Sequence, residues 1–410
     1  MLMTLTDNAP RQSPASKHAD NPAKKKSPAA KPAPLGWGKL VLTMLIPFFL
    51  CAIMGLFYLG AFHAPSPHNV QVAVVGDSAQ SKVFAQTLQD GSDGALNVRT
   101  VADADQARKL VEQRELVAAY ETSGGTATLY SSSAASETSA NIAQKVFLDV
   151  AYEQGQPLRI EDVVPTGEQD TTGQGLFFLL VALSIGGYAS AVPLAGFMGK
   201  VKLPVRFAMA AVAAAVVATI AVLIAGPVYR IIEDHYAGIW LISWVYAAGI
   251  TLLGLGLHPL LRHWTTPTLT LCFVALNFTS SGGIFQPQMQ PGFYGALNTF
   301  WNGAGWLHAV QTLVYFPGQS IGMDILRLIL WLIPGILLVI LTHAWSVRRT
   351  RVANENASIK DVEEAVAAWL AGEPMRSAAL ANQQPRTRSG QRMPQSVYRF
   401  AHHLSADVLE

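Results

Sequence analysis

The stretch "LVLTMLIPFFLCAIMGLFYLGAF", Leu40–Phe62, decides the class of this protein. It carries no charged residue over roughly the 20 positions that a helix needs to cross a bilayer. A cleaved signal peptide is the rival interpretation, but the run is longer than a signal core and ends in a poor cleavage site, so we expect an uncleaved anchor. Half of the residues are hydrophobic and 14% are charged, which is typical of an integral membrane protein with a polar domain.

Five more apolar runs follow, and together they predict a mainly α-helical polytopic protein with six transmembrane helices. These runs are Gly175–Met198, Phe207–Val228, Gly238–Leu261, Pro267–Phe285 and Ile325–Ala344. If the spans alternate, the Lys and Arg residues before the first span, between the second and third, and after the fourth and sixth all fall on one side, which the positive-inside rule makes cytoplasmic. Arg230 is the only base in the turn between the third and fourth spans, which is predicted outside. Both termini are then predicted in the cytoplasm and residues 63–174 outside.

The polar segments divide the rest of the chain into distinct regions. Residues 1–38, rich in Lys, Ala and Pro, predict a disordered basic arm that fixes topology or binds anionic lipid, followed by the first span over 39–62. Residues 63–174 alternate strand and helix patterns and predict one small extracytoplasmic α/β domain inserted between the first and second spans. Residues 175–346 form the five-helix membrane domain, and 347–410 a cytoplasmic tail with an amphipathic helix at 358–371.

A charge-free stretch, Asn277–Val310, is unusual because it breaks from an apolar run into glycines and prolines and then continues as aromatic and small residues. Unpaired backbone persists at membrane depth only when it is buried in protein or lines a cavity. We therefore expect the fifth span to end near Ser280 and a re-entrant outer segment, 286–320, to form two short helices. The candidate residues of a substrate path or gate are Asn277, Ser281, Gly282, Gly283, Pro287, Pro291, Asn298, Trp301, Trp306 and His308.

Several kinds of chemistry have no motif in this sequence. It contains no Walker sequence for ATP, no HExxH and no CxxC, and its two cysteines, Cys51 and Cys272, lie within predicted spans. We expect no enzymatic activity, no cofactor and no metal. The six runs as bounded above contain no Asp or Glu, which disfavours an ion-driven transporter and points to a partner as the energy source.

The order of these elements resembles a known family. The stretch "SSGGIFQPQMQPGFYGAL" is similar to the Ser-Gly-Gly-x-aromatic-Pro region of ABC-2 type transporter membrane proteins, in particular the phage infection protein (Pip)-like branch. The strand ending "AVVGD" and the segment "DADQARKLVEQRELVAAYE" are similar to the outer domain of that branch. The resemblance covers about residues 38–346.

The resemblance implies a permease-like subunit in a bacterial cell membrane that exports a lipid, drug or cell-envelope component with a separate ATP-binding subunit. Lys200, Lys202 and Arg206, between the second and third spans, are then candidates for docking that subunit. Membrane lipids are expected partners, a homo- or heterodimer is expected from the small residues of the spans, and nucleic acid is not expected. The alternative is a non-transporting surface protein, a receptor or envelope-assembly scaffold, that acts through its outer domain.

Overall fold

A computed structural model describes residues 37–64, 67–197 and 201–370, with side chains described as far as Lys360. The expected basic arm, apart from its last two residues, lies outside the described residues, as do Lys200 and the tail beyond Leu370. The first helix, α1, spans Trp37–Phe62, and its portion Trp37–Pro47 forms a unit separate from Phe48 onward. The protein is mostly helical and contains one small α/β region.

The α/β region has a five-stranded mixed sheet in the order β2-β1-β3-β4-β5. All neighbouring strands are parallel except β3 and β4, which form an antiparallel hairpin through the Gly124–Gly125 turn. The strands are β1 (Val70–Val75), β2 (Leu96–Val101), β3 (Ala118–Ser123), β4 (Thr126–Ser131) and β5 (Leu158–Asp162). The helices are α2 (Ala79–Gly91), α3 (Ala104–Glu112) and α4 (Ser133–Glu153).

Local sequence accounts for this region. Each helix begins after a side-chain cap, because the oxygens of Ser78, Asp103 and Ser132 accept backbone N–H groups of the first turn. Strand β1 is buried on both faces of the sheet, with Val70 and Val72 on one face and Ala73 on the other. One face packs against Phe147 of α4, and the other against Val111 of α3.

The helical region contains α5 (Gly175–Phe197), α6 (Leu203–Leu223), α7 (Tyr236–Leu261) and α12 (Gly322–Leu370). A π-helical turn, Ile224–Val228, extends α6 at Pro227. Among the described residues, five helical stretches are long and apolar enough to cross a membrane. They are Met44–Phe62, Gly175–Phe197, Leu203–Val228, Tyr236–Ser280 and Gly322–Lys360.

The stretch Tyr236–Ser280 is folded back on itself. Its first part is α7, and after a 3-10 turn at Arg262–Trp264 it continues as α8 (Thr265–Thr270), a π-helical segment and α9 (Asn277–Ser280). We call Thr265–Ser280 the second arm. A Cβ atom on Gly254 would lie 2.9 Å from Cδ1 of Leu269 in this arm, although a straight helix would separate the two residues by about 22 Å.

The last helix differs from the prediction in two ways. The sixth apolar run was expected to begin at Ile325, but α12 begins at Gly322 and includes Asp324. The amphipathic helix expected at 358–371 is not a separate element, because α12 continues without a break for 49 residues. Glycines allow α12 to pack closely on α7: a Cβ atom on Gly335 would lie 3.0 Å from Cβ of Leu252.

Candidate functional site

The charge-free stretch leaves the second arm at a sharp break. Gly282 adopts φ +83°, a conformation that favours glycine. Gly283 is needed for a different reason, since a Cβ atom there would lie 2.7 Å from Cγ of Phe177 on α5. Beyond the break the chain forms a 3-10 turn at Pro287–Met289, then α10 (Gly292–Asn298) and α11 (Asn302–Tyr315).

Side chains after the break pair with backbone carbonyls of the second arm. The side-chain amides of Gln290 and Asn298 donate to the carbonyl oxygens of Thr279 and Ser280, each at 2.8 Å. Trp301 donates its indole N–H to the carbonyl oxygen of Cys272 at 3.2 Å. The last carbonyls of a helix, such as those of Thr279 and Ser280, have no partner within the helix, so the bonds from Gln290 and Asn298 hold the segment against the end of the second arm.

The segment also joins the α/β region to the helices. Phe285 and Met289 belong to the same hydrophobic cluster as Tyr120 and Phe147 of the α/β region. The backbone N–H of His68 donates to the carbonyl oxygen of Gln288 at 2.7 Å. The α/β region is therefore in direct contact with the segment that follows the break.

The outer part of α1 packs against the same segment. Tyr294 of α10 donates its hydroxyl to the carbonyl oxygen of Phe57 at 3.0 Å, and Gly60 leaves room for this ring. Tyr58 packs against Phe278 with ring centroids 5.0 Å apart. The break is thus enclosed by α1 and α5 as well as by the α/β region.

A polar network lies at the centre of the apolar helices. Asn277 donates through Nδ2 to the hydroxyl of Tyr246 and, at 3.3 Å, to Oγ of Ser184; these two hydroxyls are 2.6 Å apart. All three residues are 1% exposed. Trp306 of α11 donates its indole N–H to Ser243 of α7 at 3.0 Å. The network ties α5, α7, the second arm and α11 together without any charge.

A narrow crevice lies beside this network, between α5 and the second arm. It is lined by Leu180, Val181, Ser184, Phe273, Val274 and Phe278. Pockets for drug-sized ligands are about 300 Å³ or larger, whereas this crevice has no room even for a water molecule and is closed to ligands as it stands.

The remaining candidates from the sequence fall into separate roles. Pro287 is the first residue of the 3-10 turn, and Pro291 is the N-cap residue of α10. Oγ of Ser281 accepts the N–H of Gly283 at 3.3 Å. Of the docking candidates, Lys202 precedes α6, but Arg206 is only 7% exposed and donates to the carbonyl oxygen of Val201. Arg206 is therefore placed for packing, not for surface contact.

A charged cluster was missed by the sequence argument. Asp324 is 2% exposed, and its carboxylate accepts from Nδ1 of His308 at 2.6 Å and from Nη1 of Arg327 at 3.0 Å. The expectation that the last apolar helix lacks a carboxylate is thus wrong for its first turn. The i,i+3 spacing of Asp324 and Arg327 in the first turn of a helix is the signal that could have revealed the pair.

Arg114, on the loop after α3, reaches into the helical region beside this cluster. Its Nη2 donates to Thr312 at 2.6 Å and to Gln319 at 2.8 Å, and its guanidinium lies 4.4 Å from the ring centroid of Phe316. Burial lowers the pKa of Arg114 to about 10. The side chain stays charged at neutral pH and links the α/β region to α11.

A Gly-x-Ser-x-Gly pentapeptide, Gly318–Gly322, also stands next to the charged cluster. In hydrolases that use this motif the serine lies on a turn from a strand to a helix. Here the turn joins α11 to α12, and Oγ of Ser320 accepts the N–H of Gly322 at 3.3 Å. Within the described part of the chain no hydrogen bond joins Ser320 to His308, so the turn lacks the geometry of an activated nucleophile.

Among the described residues, no group of three or more His, Cys, Asp or Glu residues could hold a metal ion. Comparison with known proteins gives no match to a family model, to a curated protein or to a solved structure. Evidence about function therefore comes from the geometry of the helices and the segment that closes them.

Proposed function

We propose that this protein is the membrane subunit of an export system for a lipid, drug or cell-envelope component, energised by a separate ATPase. The observation that supports this proposal best is the uncharged network of Asn277, Tyr246 and Ser184 beside the crevice. Buried polar groups between apolar helices are typical of a path for an amphipathic molecule. In this proposal the crevice is the closed form of that path.

Six membrane crossings are part of the proposal. The fold-back of Tyr236–Ser280 at Arg262–Trp264 supports the proposal that this one apolar stretch crosses twice. With six crossings both termini lie on the cytoplasmic side of a bacterial plasma membrane and the α/β region lies outside. The charge-free segment then forms an outer cap that contacts the α/β region.

A separate energy source fits the chemistry of the chain. The sequence has no ATP-binding motif, and the buried Asp324 is bonded to both His308 and Arg327 in the first turn of α12. Both carboxylate oxygens of Asp324 are already bonded to these two neighbours. Asp324 and Arg327 serve as a structural pair at the end of the helix.

The decisive experiment is purification of the full chain in mild detergent from its native host, followed by mass spectrometry. Export predicts a nucleotide-binding protein at stoichiometric level, with its ATPase activity stimulated by the reconstituted chain. Substitution of Asn277 by Leu should reduce that stimulation, while Asn354→Leu, at an exposed site on α12, should not. Absence of an ATP-binding partner, with an envelope component recovered through the α/β region instead, would favour the receptor or scaffold alternative.

A further inference from the structure

The first turn of α11 is a buried helix N-terminus without a cap. Trp301, the N-cap residue, makes no side-chain cap, and the first amide of the helix to find a carbonyl is that of Gly305, which donates to Trp301 at 3.2 Å. The N–H groups of Asn302, Gly303 and Ala304 have no acceptor among the residues that the structure describes. Asn302 and Ala304 are only 1% and 2% exposed, so bulk water does not reach them. Proteins rarely leave such donors unpaired.

Side-chain amide atoms of Asn302 and Asn277 are also unpaired. Both amide atoms of Asn302 and Oδ1 of Asn277 lack a hydrogen-bond partner in the described ranges. Oδ1 of Asn277 lies against Gly303, where any Cβ atom would collide with it. These amides are 1% exposed, so the turn and the two asparagines form one buried group of unused donors and acceptors.

The charge around this turn favours an anion. A helix N-terminus carries partial positive charge and is normally stabilised by negative groups. Here a cation lies beside it: Nε of Arg327 donates to the carbonyl oxygen of Thr299 at 2.9 Å, and the Arg327 side chain packs against Gly305. Asp324 offsets this charge only in part, because its carboxylate is shared with His308.

The unpaired donors outnumber the unpaired acceptors. The donors without a partner at this turn are three backbone N–H groups and Nδ2 of Asn302. The acceptors without a partner are Oδ1 of Asn277 and Oδ1 of Asn302. A group rich in acceptor oxygens would satisfy these donors together, and helix N-termini are suited to phosphate and other oxyanions.

We propose that the first turn of α11, with Asn302, binds the phosphate group of an amphipathic substrate. Asn277 connects this turn to the path: its Nδ2 bonds Ser184, which lines the crevice, while its Oδ1 lies against Gly303. The inference deepens the proposed export function and rests on it for the role of the ligand, but binding itself is tested without export.

The test uses the full chain in detergent and three probes: short-chain phosphatidic acid, the matching diacylglycerol and inorganic phosphate. Binding is followed by native mass spectrometry and by the shift in Tm. Phosphatidic acid should bind and raise Tm, whereas diacylglycerol, which lacks the phosphate, should not. Additional binding of inorganic phosphate would identify a free anion as a second source of the same chemistry. If neither phosphate probe binds, the turn is satisfied by water and the inference is wrong.

The sharpest variant is Asn302→Asp, which places a carboxylate where we place the phosphate. The positive end of the helix favours an acid there, whereas burial of the carboxylate opposes it, so the ligand-free Tm is measured first and binding is compared in folded protein. Phosphatidic acid should bind about tenfold more weakly or not at all, because the two negative charges repel. The control, Asn356→Asp at an exposed site on α12, should keep normal binding.

The two proposals fail in different ways. Equal binding by Asn302→Asp and the wild type would place the phosphate elsewhere and overturn this inference, while leaving export by the chain intact. Binding that Asn302→Asp abolishes, in a chain that no ATPase accompanies, would support the site and remove the export function.

Discussion

Asn277 donates a hydrogen bond to Tyr246, although 31 residues separate them along one continuous apolar stretch. The bond exists because the chain reverses at Arg262–Trp264 and brings the second arm against α7. Both side chains also contact Ser184 of α5. These uncharged hydrogen bonds join α5, α7 and the second arm at the point where the charge-free stretch begins.

Removal of the Asn277 amide should destabilise the protein. Asn277→Leu leaves the two buried hydroxyls with fewer partners, and we expect a loss of about 1–3 kcal/mol of unfolding free energy. Tyr246→Phe removes a single hydroxyl and should cost less, about 1 kcal/mol. Thermal unfolding in detergent measures both, with Asn354→Leu as the exposed control.

The two substitutions should not be additive, because they remove the same bond. The double variant should lose less stability than the sum of the single losses. Additive losses would show that Asn277 and Tyr246 are not coupled, and the network would then have no role as a unit.

Gly283 should tolerate no side chain, whereas Gly292 should. A methyl group at Gly283 would collide with the ring of Phe177, while a Cβ atom on Gly292, the first residue of α10, meets nothing within 4 Å. We expect Gly283→Ala to cost about 1–3 kcal/mol and Gly292→Ala to be neutral. Comparable expression level and Tm of the two variants would contradict this packing. Gly283→Leu should abolish folding; Gly390, a natural comparison in the tail, lies outside the described residues.

Elements that depend on neighbouring residues can be predicted from the sequence, whereas contacts between distant parts of the chain cannot. The strands of the α/β region could be predicted because a β-strand depends on neighbouring residues and its turns. Asn277 could be singled out because an amide in an apolar run is conspicuous. The bond from Arg114 to Gln319 could not, since it joins residues 205 positions apart that meet only when the α/β region docks. Asp324 was missed because the apolar run was taken to begin at Ile325, three residues after the start of α12.

Asp170 should make stability depend on pH. Its carboxylate is 7% exposed and accepts the backbone N–H of Gly175 at the start of α5. Burial raises the pKa of this carboxyl above its ordinary value of 3.8, with the backbone bonds opposing the change. The folded state therefore binds the proton more tightly than the unfolded state, and stability is lost as pH rises from 3.8 through the folded pKa.

The Asp170→Asn variant keeps an acceptor oxygen for Gly175 but carries no charge to desolvate. We expect its Tm to exceed that of the wild type at pH 7 and the difference to shrink as the pH falls toward about 4. Asp149→Asn, at an exposed site on α4, is the control and should follow the wild type. A difference that grows toward acid pH would mean that the charged carboxylate stabilises the fold.

The number of crossings can be tested from the side on which the last helix ends. In a chain with Cys51 and Cys272 replaced by alanine, single cysteines at Asp234, His263 and Arg349 are labelled in intact cells with a membrane-impermeant maleimide. Six crossings predict labelling at Asp234 only, since the fold-back at Arg262–Trp264 and the C-terminal part of α12 are then cytoplasmic. If Tyr236–Ser280 crossed once, the crossings would be odd in number and Arg349 would be labelled instead of protected. Labelling after permeabilisation confirms that each cysteine is reactive.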